Sequence, residues 1–166
     1  VPYANYFIFS SKIKEFAKEN SFRIDEYNVS VNGNQLFKPY RTILYEGHSN
    51  DDKKEYDQIY DVEFKIFKDP MEKVIAWMWF GIAKFEKVIP TVNEMRCIRL
   101  RKENIQIGDE NTMGKFFKQE RGNSYYIGEV FAVDNNLIPN ARRDYFNPNP
   151  SAKKFEESLH NFFYLE

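Results

Sequence analysis

The sequence predicts an α+β fold, an α/β sandwich in which a mixed, largely antiparallel sheet is packed by helices. Two hydrophobic patterns and the order of the predicted elements support this class. Apolar side chains alternate with polar ones in segments such as Val62–Phe67, which is typical of half-buried strands. The last segment instead repeats apolar residues at helical spacing. The order of elements, with strands, a short helix, a further strand and a final helix, is that of an α+β domain.

Length and composition indicate one ordinary globular domain. The 166 residues are 42% hydrophobic and include 16 Phe and 11 Tyr, so we expect residues 1–166 to form a single domain. A net charge of −1 offers no bulk electrostatic argument for nucleic acid or an anionic membrane. No apolar run approaches the roughly 20 residues that cross a bilayer. The single cysteine excludes an internal disulfide and suits a reducing cytoplasm.

The ends suggest a piece excised from a longer protein. The chain starts at Val1 without a methionine, and Leu165-Glu166 resembles a vector scar. Residues 49–57 mix charges of both signs and are expected to form an exposed loop. Their adjacent acids lie beside lysines, and His48 and His160 are far apart, so no metal site is predicted.

The N-terminal part predicts a helix and a hairpin. Residues 10–20 form an amphipathic pattern that Ser10 and Ser11 can cap, with Ile13, Phe16 and Ala17 on one face. Asn32-Gly33 is a strong signal for a tight turn between a strand over residues 22–31 and a return strand over 35–37. We interpret this hairpin as structural.

Strands dominate the middle of the sequence. Residues 62–67 and 74–85 are predicted strands joined by a turn, although the length of the second also permits a helix. Trp77 and Trp79 could form an aromatic platform for a ligand or client, but core packing is the favoured reading. A further strand at Arg96–Arg101 contains Cys97, which we expect to be a small buried hydrophobe.

A strand, a polar loop and a helix follow. Thr112 can cap a short helix, residues 125–133 predict a long strand, and Ser151 can cap the last helix. The residues at positions i, i+4 and i+7 of that helix are expected to pack on the sheet, namely Phe155, Leu159 and Phe162.

The loop at residues 137–146 is the strongest candidate for a functional site. It carries Arg142 and Arg143 next to Asp144, and a guanidinium offers a planar fork of donors suited to phosphate oxygens. In an extended connection, adjacent side chains point in opposite directions, so only one of the two arginines would aim at a given phosphate. The alternative is a solvated turn whose arginines pair with acids such as Glu129 or Asp134.

Two motifs in the C-terminal part of the chain carry a family resemblance, Ile98–Asp109 and the run from Ile127–Val130 to Asn140–Asp144. They resemble the middle domain of the ninety-kilodalton heat-shock chaperones and their bacterial relatives among the gyrase, chaperone, histidine-kinase and mismatch-repair ATPases. The first, Ile98–Asp109, is similar to the family's paired strands with a basic turn. The second runs from Ile127–Val130 to Asn140–Asp144 and is similar to the family's catalytic loop. The resemblance covers residues 98–163 and implies a left-handed βαβ unit.

The resemblance also implies catalytic residues. The family's loop reads Asn, apolar, Ser, Arg, acidic, which places its Asn at Asn140, its Arg at Arg143 and its acid at Asp144. Arg142 stands where the chaperones have Ser. We therefore expect Arg143, more than Arg142, to reach nucleotide, with Asp144 holding or shielding its side chain.

In that family, an N-terminal domain binds ATP with magnesium, and the middle domain closes against it. The pocket motifs are missing from this sequence, so the chain alone is expected to lack a cofactor and ATPase activity. ATP and magnesium are expected for the parent protein. The implied partners are the N-terminal nucleotide-binding domain of the same protein, client proteins and a homodimer formed through regions outside this chain.

Two other function classes remain open. One is a non-catalytic protein-interaction module that uses the Trp77/Trp79 region or the exposed loop. The other is a nucleic-acid-handling domain like those of topoisomerase and mismatch-repair relatives. Its basic face would comprise Arg96, Arg99, Arg101, Lys102, Arg121, Arg142 and Arg143.

Overall fold

The computed structural model describes residues 1–46, 54–83 and 88–165. These ranges contain two α-helices, α1 (Ser10–Glu19) and α2 (Pro150–Leu165), and two short 3-10 helices, Thr112–Phe116 and Glu120–Tyr125. The strands are β1 (Ser30–Val31), β2 (Asn34–Gln35), β3 (Ile43–Glu46), β4 (Lys54–Gln58), β5 (Asp61–Lys68), β6 (Val74–Ile82), β7 (Cys97–Lys102), β8 (Ile105–Ile107) and β9 (Ile127–Ala132). None of the described helices is long and apolar enough to cross a membrane.

A five-stranded sheet with the order β5-β6-β9-β7-β8 forms the centre of the fold. Its neighbouring strands are antiparallel except β7 and β9, which are parallel. The connection between that parallel pair, residues 103–126, consists of β8 and the two 3-10 helices, with no α-helix. The mixed sheet and its covering helices confirm the predicted α+β class.

Helix α2 covers one face of the sheet. Phe155 and Leu159 are fully buried there, in a core shared with residues of β6, β7 and β9. Phe162 is only partly buried, whereas its neighbour Phe163 is buried, so the predicted stripe is right at two of its three positions. The predicted serine cap is wrong. Asn149 caps the helix by accepting a hydrogen bond from the backbone N–H of Ala152 at 2.8 Å.

The N-terminal part of the chain covers the opposite face. Tyr3, Phe7 and α1 pack there against Trp77 and Trp79, both of which are buried. The indole of Trp77 stacks on Phe131 with ring centroids 4.5 Å apart. Core packing of the tryptophan pair is therefore confirmed, and the aromatic platform for a ligand or client is wrong, because neither indole reaches the surface.

Several predicted boundaries differ from the structure. Ser10 and Ser11 lie inside α1, where Phe9 occupies the cap position without a side-chain hydrogen bond. The predicted loop at 49–57 includes β4, which pairs with β3, while residues 49–53 lie outside the described residues. The strand predicted over 22–31 is limited to Ser30–Val31, and its return strand, predicted over 35–37, is Asn34–Gln35.

Two further predictions, the Thr112 cap and the start of β9, are also wrong. Thr112 does not cap its helix; its hydroxyl instead accepts a hydrogen bond from the backbone N–H of Asp109 at 2.8 Å. Tyr125 belongs to the second 3-10 helix, so β9 begins only at Ile127. Cys97 is buried as expected, and burial raises the pKa of its thiol.

Candidate functional site

The arginine loop, residues 137–146, is closed at its base by short-range pairing. Pro139 and Phe146 form an antiparallel bridge. The backbone N–H of Asn147 donates to the carbonyl of Ile138 at 2.8 Å. Phe146 is buried and lies edge-on to Phe155 of α2, with ring centroids 5.5 Å apart. The base of the loop is therefore anchored in the α2 core.

The tip of the loop is organised by Asn140. Its amide nitrogen donates to the Asp144 carboxylate at 2.5 Å, and its side-chain oxygen accepts from the Asp144 backbone N–H at 3.3 Å. Its backbone carbonyl accepts from the N–H of Arg143 at 3.0 Å. Asn140 and Asp144 thus cross-link the two sides of the turn, a common use of Asn and Asp in loops.

The backbone of Arg143 is held in an uncommon conformation. Its φ is +54°, in the left-handed region that favours glycine and asparagine. Its carbonyl accepts a hydrogen bond from the N–H of Gly108 at 2.7 Å, so β8 and the arginine loop are tied together. Gly108 has a φ of +71°, and a Cβ there would lie 2.9 Å from the Asp144 carbonyl oxygen. Close approach of the two segments therefore requires glycine.

Both arginine side chains are exposed. Among the described residues, neither guanidinium makes an ion pair or a side-chain hydrogen bond. The alternative of a solvated turn agrees with this exposure, but the expected pairing of its arginines with Glu129 or Asp134 is wrong, because those acids have other partners. Glu129 binds Lys38 and Arg101, and Asp134 lies 3.5 Å from Lys73.

Two details of the predicted loop geometry need correction. The carboxylate of Asp144 is hydrogen-bonded to Asn140 and does not hold Arg143. The connection is a turn rather than an extended segment, so alternation of side-chain direction does not choose between the two arginines. What distinguishes them is the backbone: Arg143 is hydrogen-bonded through both its N–H and its carbonyl.

Sequence reasoning missed a buried charge cluster around Glu129, in the centre of β9. The Glu129 side chain is fully buried. One carboxylate oxygen accepts from the Tyr3 hydroxyl at 2.5 Å and from Trp79 Nε1 at 2.9 Å. The other accepts from Lys38 Nζ at 2.7 Å and from Arg101 Nε. A carboxylate within the apolar sequence Ile127–Val133 was the one signal that could have indicated this cluster.

The charges in this cluster stabilise one another. Burial alone would raise the pKa of the Glu129 carboxyl, but the positive charges of Lys38 and Arg101 lower it to about 2. Burial lowers the pKa of Lys38 to about 8 in spite of Glu129. Burial also opposes the charge on Arg101, yet Glu129 keeps the pKa of that guanidinium above its usual value.

Part of the predicted basic face turns inward. Arg99 and Arg101 are buried, and the Arg99 guanidinium donates to the carbonyls of Glu94 and Arg96. Lys102 Nζ donates to the backbone carbonyl of Asp134 at 2.7 Å. Three of the seven proposed basic residues are thus committed to the interior or to the backbone, and the continuous basic face is wrong.

The described part of the chain contains no group of three or more His, Cys, Asp or Glu side chains that could hold a metal ion. His160 is exposed and stacks on Tyr164, with ring centroids 4.7 Å apart, while His48 lies outside the described residues. No protein-family model matches this chain, and no curated protein matches it.

Proposed function

We propose that this chain is the middle domain of a chaperone-like ATPase. In this proposal, the arginine loop supplies Arg143 to the terminal phosphate of ATP bound on a separate N-terminal domain of the same protein. One observation carries the proposal. The loop has a hydrogen-bonded, anchored backbone, while both of its guanidiniums are exposed and unpaired among the described residues.

This combination is what an arginine finger requires. A cation stabilises the charge that develops on a transferring phosphoryl group best when the cation is already positioned, so that no reorganisation is needed during reaction. The bridge at Pro139 and the Asn140–Asp144 pair set the shape of the turn before any ligand arrives. A free guanidinium has no ion pair to give up when it meets a phosphate.

The backbone favours Arg143 over Arg142 as the contacting residue. A non-glycine residue in the left-handed region costs free energy, and such conformations persist where the surrounding structure imposes them, often at functional sites. Here, the N–H and the carbonyl of Arg143 are both hydrogen-bonded within the described chain. Arg142 would brace the loop or face solvent.

Nucleotide state would be read through the same contact. Only ATP has a terminal phosphate, and its contact with the loop would stabilise the closed arrangement of the two domains. Hydrolysis would remove that contact, favour the open arrangement and change client binding. ATP and magnesium belong to the parent protein in this scheme, and we place that protein in the cytoplasm. Nucleic acid is the less favoured ligand, because Arg99, Arg101 and Lys102 do not present their charges at the surface.

Substitution of Arg143 in the parent protein tests the proposal. Arg143→Gly is expected to reduce the rate of ATP hydrolysis by about 10³-fold or more, as for other arginine fingers. The same change should leave the melting temperature unchanged or raise it, because glycine adopts a positive φ without strain. Arg142→Ala is the matched control and should retain most of the activity.

Two results would contradict the proposal. Arg143→Gly could lower the melting temperature and the activity together, which would identify Arg143 as a brace. Arg142→Ala could abolish turnover while the Arg143 variant remains active, which would assign the contact to the other arginine.

A further inference from the structure

The chain contains a single Asn-Gly pair, Asn32-Gly33, which forms the turn of the β1–β2 hairpin. Val31 pairs with Asn34, and the two residues between them have φ values of +52° and +81°. Such a turn favours Asn and Gly, because both adopt positive φ readily. The pair also has a chemistry of its own, since glycine has no side chain to shield its backbone nitrogen from the neighbouring asparagine amide.

The groups of this pair that can react are accessible. Asn32 and Gly33 are both exposed. Among the described residues, none is hydrogen-bonded to the Asn32 side chain or accepts from the backbone N–H of Gly33. A Cβ added at Gly33 would find no atom within 4 Å, so the turn is surrounded by open space. Both the amide and the nitrogen that can attack it are therefore free to react.

The hairpin can leave its turn conformation without disturbing the core. Attack on the side chain requires the Asn32 backbone to rotate out of the left-handed region. Residues 26–37 are all exposed, and the two strands form a sheet of their own. An isolated two-stranded hairpin is at best marginally stable in water, and elements with so little packing open locally at low cost in free energy. The reactive conformation is thus reached while the five-stranded sheet stays folded.

We propose that Asn32 is a site of spontaneous deamidation, with water as the only co-reactant. The backbone nitrogen of Gly33 loses its proton and attacks Cγ of Asn32. A C–N bond forms, the bond from Cγ to Nδ2 breaks, and the side-chain nitrogen takes up a proton and leaves as ammonia. Water then opens the resulting five-membered succinimide. Opening at the backbone carbonyl of Asn32 gives isoaspartate, and opening at Cγ gives aspartate.

The structure distinguishes Asn32 from the two asparagines that precede a serine. Asn20 and Ser21 are exposed. However, the Asn20 amide nitrogen donates to a backbone carbonyl of α1 at 2.9 Å, and the N–H of Ser21 donates to another at 3.2 Å. Asn123 is buried, and both ends of its amide are hydrogen-bonded to the backbone. Of the three, Asn32 alone combines exposure with an unbound amide and an unbound attacking nitrogen.

Deamidation changes the hairpin in two ways. Isoaspartate adds one carbon to the main chain of a two-residue turn, so the pairing of Val31 with Asn34 cannot be kept. Either product also adds a negative charge to the segment from Tyr27 to Phe37, which contains no Asp, Glu, Lys, Arg or His. The reaction thus converts an uncharged, paired hairpin into a charged segment without its original register.

Prolonged incubation of the folded chain at physiological temperature tests this inference independently of any nucleotide chemistry. Peptide mapping by mass spectrometry follows each asparagine, and fragmentation by electron transfer distinguishes isoaspartate from aspartate. Asn32 should convert at least about tenfold faster than Asn20 or Asn34, because Asn20 is held by α1 and the side chain of Gln35 shields the nitrogen after Asn34. The rate should rise with pH, since the attacking nitrogen must lose its proton.

Two variants isolate the contributions of the two residues. Gly33→Asn retains a residue that tolerates positive φ but places a side chain beside the nitrogen, so it should slow the reaction of Asn32 about tenfold. Asn32→Gly removes the amide and fits the turn, so it should stop ammonia release from the hairpin. Since both positions are exposed, both variants should keep the wild-type melting temperature.

Three results would overturn the inference. Asn32 could stay unmodified throughout the incubation. Gly33→Asn could react as fast as the wild-type chain, so that the missing side chain would not be the cause. Conversion of Asn32 in urea alone would show that the folded hairpin keeps the turn closed.

Discussion

Glu129 connects segments that are far apart in the sequence. Its carboxylate accepts from Tyr3, Lys38, Trp79 and Arg101, which belong to the N-terminal segment, the stretch before β3, and strands β6 and β7. Lys38 also donates to Asn104 in the β7–β8 turn, whose amide in turn donates to the carbonyl of Asp25 at 2.5 Å. A single buried side chain therefore links the N-terminal layer to the sheet.

Removing the charge of Glu129 should be costly. Glu129→Gln leaves Lys38 and Arg101 buried without a counter-ion, and breaking a buried ion pair in this way costs about 3–5 kcal/mol. The change is measured as the free energy of unfolding in urea. Glu63→Gln, at an exposed position of β5, is the control and should change that free energy by less than about 0.5 kcal/mol.

The acid dependence of stability provides a second readout. The pKa of Glu129 is lowered from 4.5 to about 2 in the folded chain, so its contribution is complete above about pH 4.5 and is lost as the pH falls towards 2. The stability difference between wild type and Glu129→Gln should shrink over that interval. A difference that stays constant from pH 6 to pH 2 would show that the Glu129 charge contributes nothing to stability.

Helix α2 and the arginine loop depend on each other. Phe155 is fully buried and lies edge-on to Phe146 at the base of the loop and to Phe116 of the first 3-10 helix. The centroid distances are 5.5 and 6.2 Å. Packing of α2 on the sheet therefore also holds the loop that presents the arginines.

Phe155→Ala should destabilise the fold by about 3–5 kcal/mol, because it removes a buried aromatic ring and leaves a cavity. Urea denaturation measures this loss, and Lys154→Ala on the exposed side of α2 is the control. A loss below about 1 kcal/mol would place this face of the helix outside the core.

The whole molecule presents the arginine loop on its surface, next to a five-stranded sheet. Arg142 and Arg143 are exposed to water, which screens their charges. Strong phosphate binding by so few contacts requires a site from which water is excluded, and in the proposed mechanism the partner domain supplies it. The isolated chain is thus expected to contain only part of the proposed phosphate site.

Calorimetric titration of the isolated chain with ATP and magnesium should give no saturable binding up to about 1 mM, because two exposed guanidiniums gain only a weak, salt-sensitive attraction for phosphate. The same samples should show no ATP hydrolysis. A micromolar site would mean that the chain contains a nucleotide pocket of its own, and the two-domain proposal would be wrong.

Local patterns in the sequence were sufficient for much of the fold. Alternating apolar residues located β5, and helical spacing placed Phe155 and Leu159 in the core. Asn32-Gly33 identified the hairpin turn, since few residues other than Gly and Asn adopt its backbone conformation readily. The position of the arginine loop between β9 and α2 was also predictable, because each of these features depends on neighbours only a few residues away.

Tertiary structure decided what depends on distant parts of the chain. The parallel pairing of β7 with β9 and the inward direction of Arg101 both follow from strand order, which no local period encodes. Glu129 meets Tyr3 across 126 positions of sequence, and burial of its charge is tolerable only because folding brings Lys38 and Arg101 to the same point. The conformation of Arg143 likewise involves the hydrogen bond from Gly108, which directly follows β8.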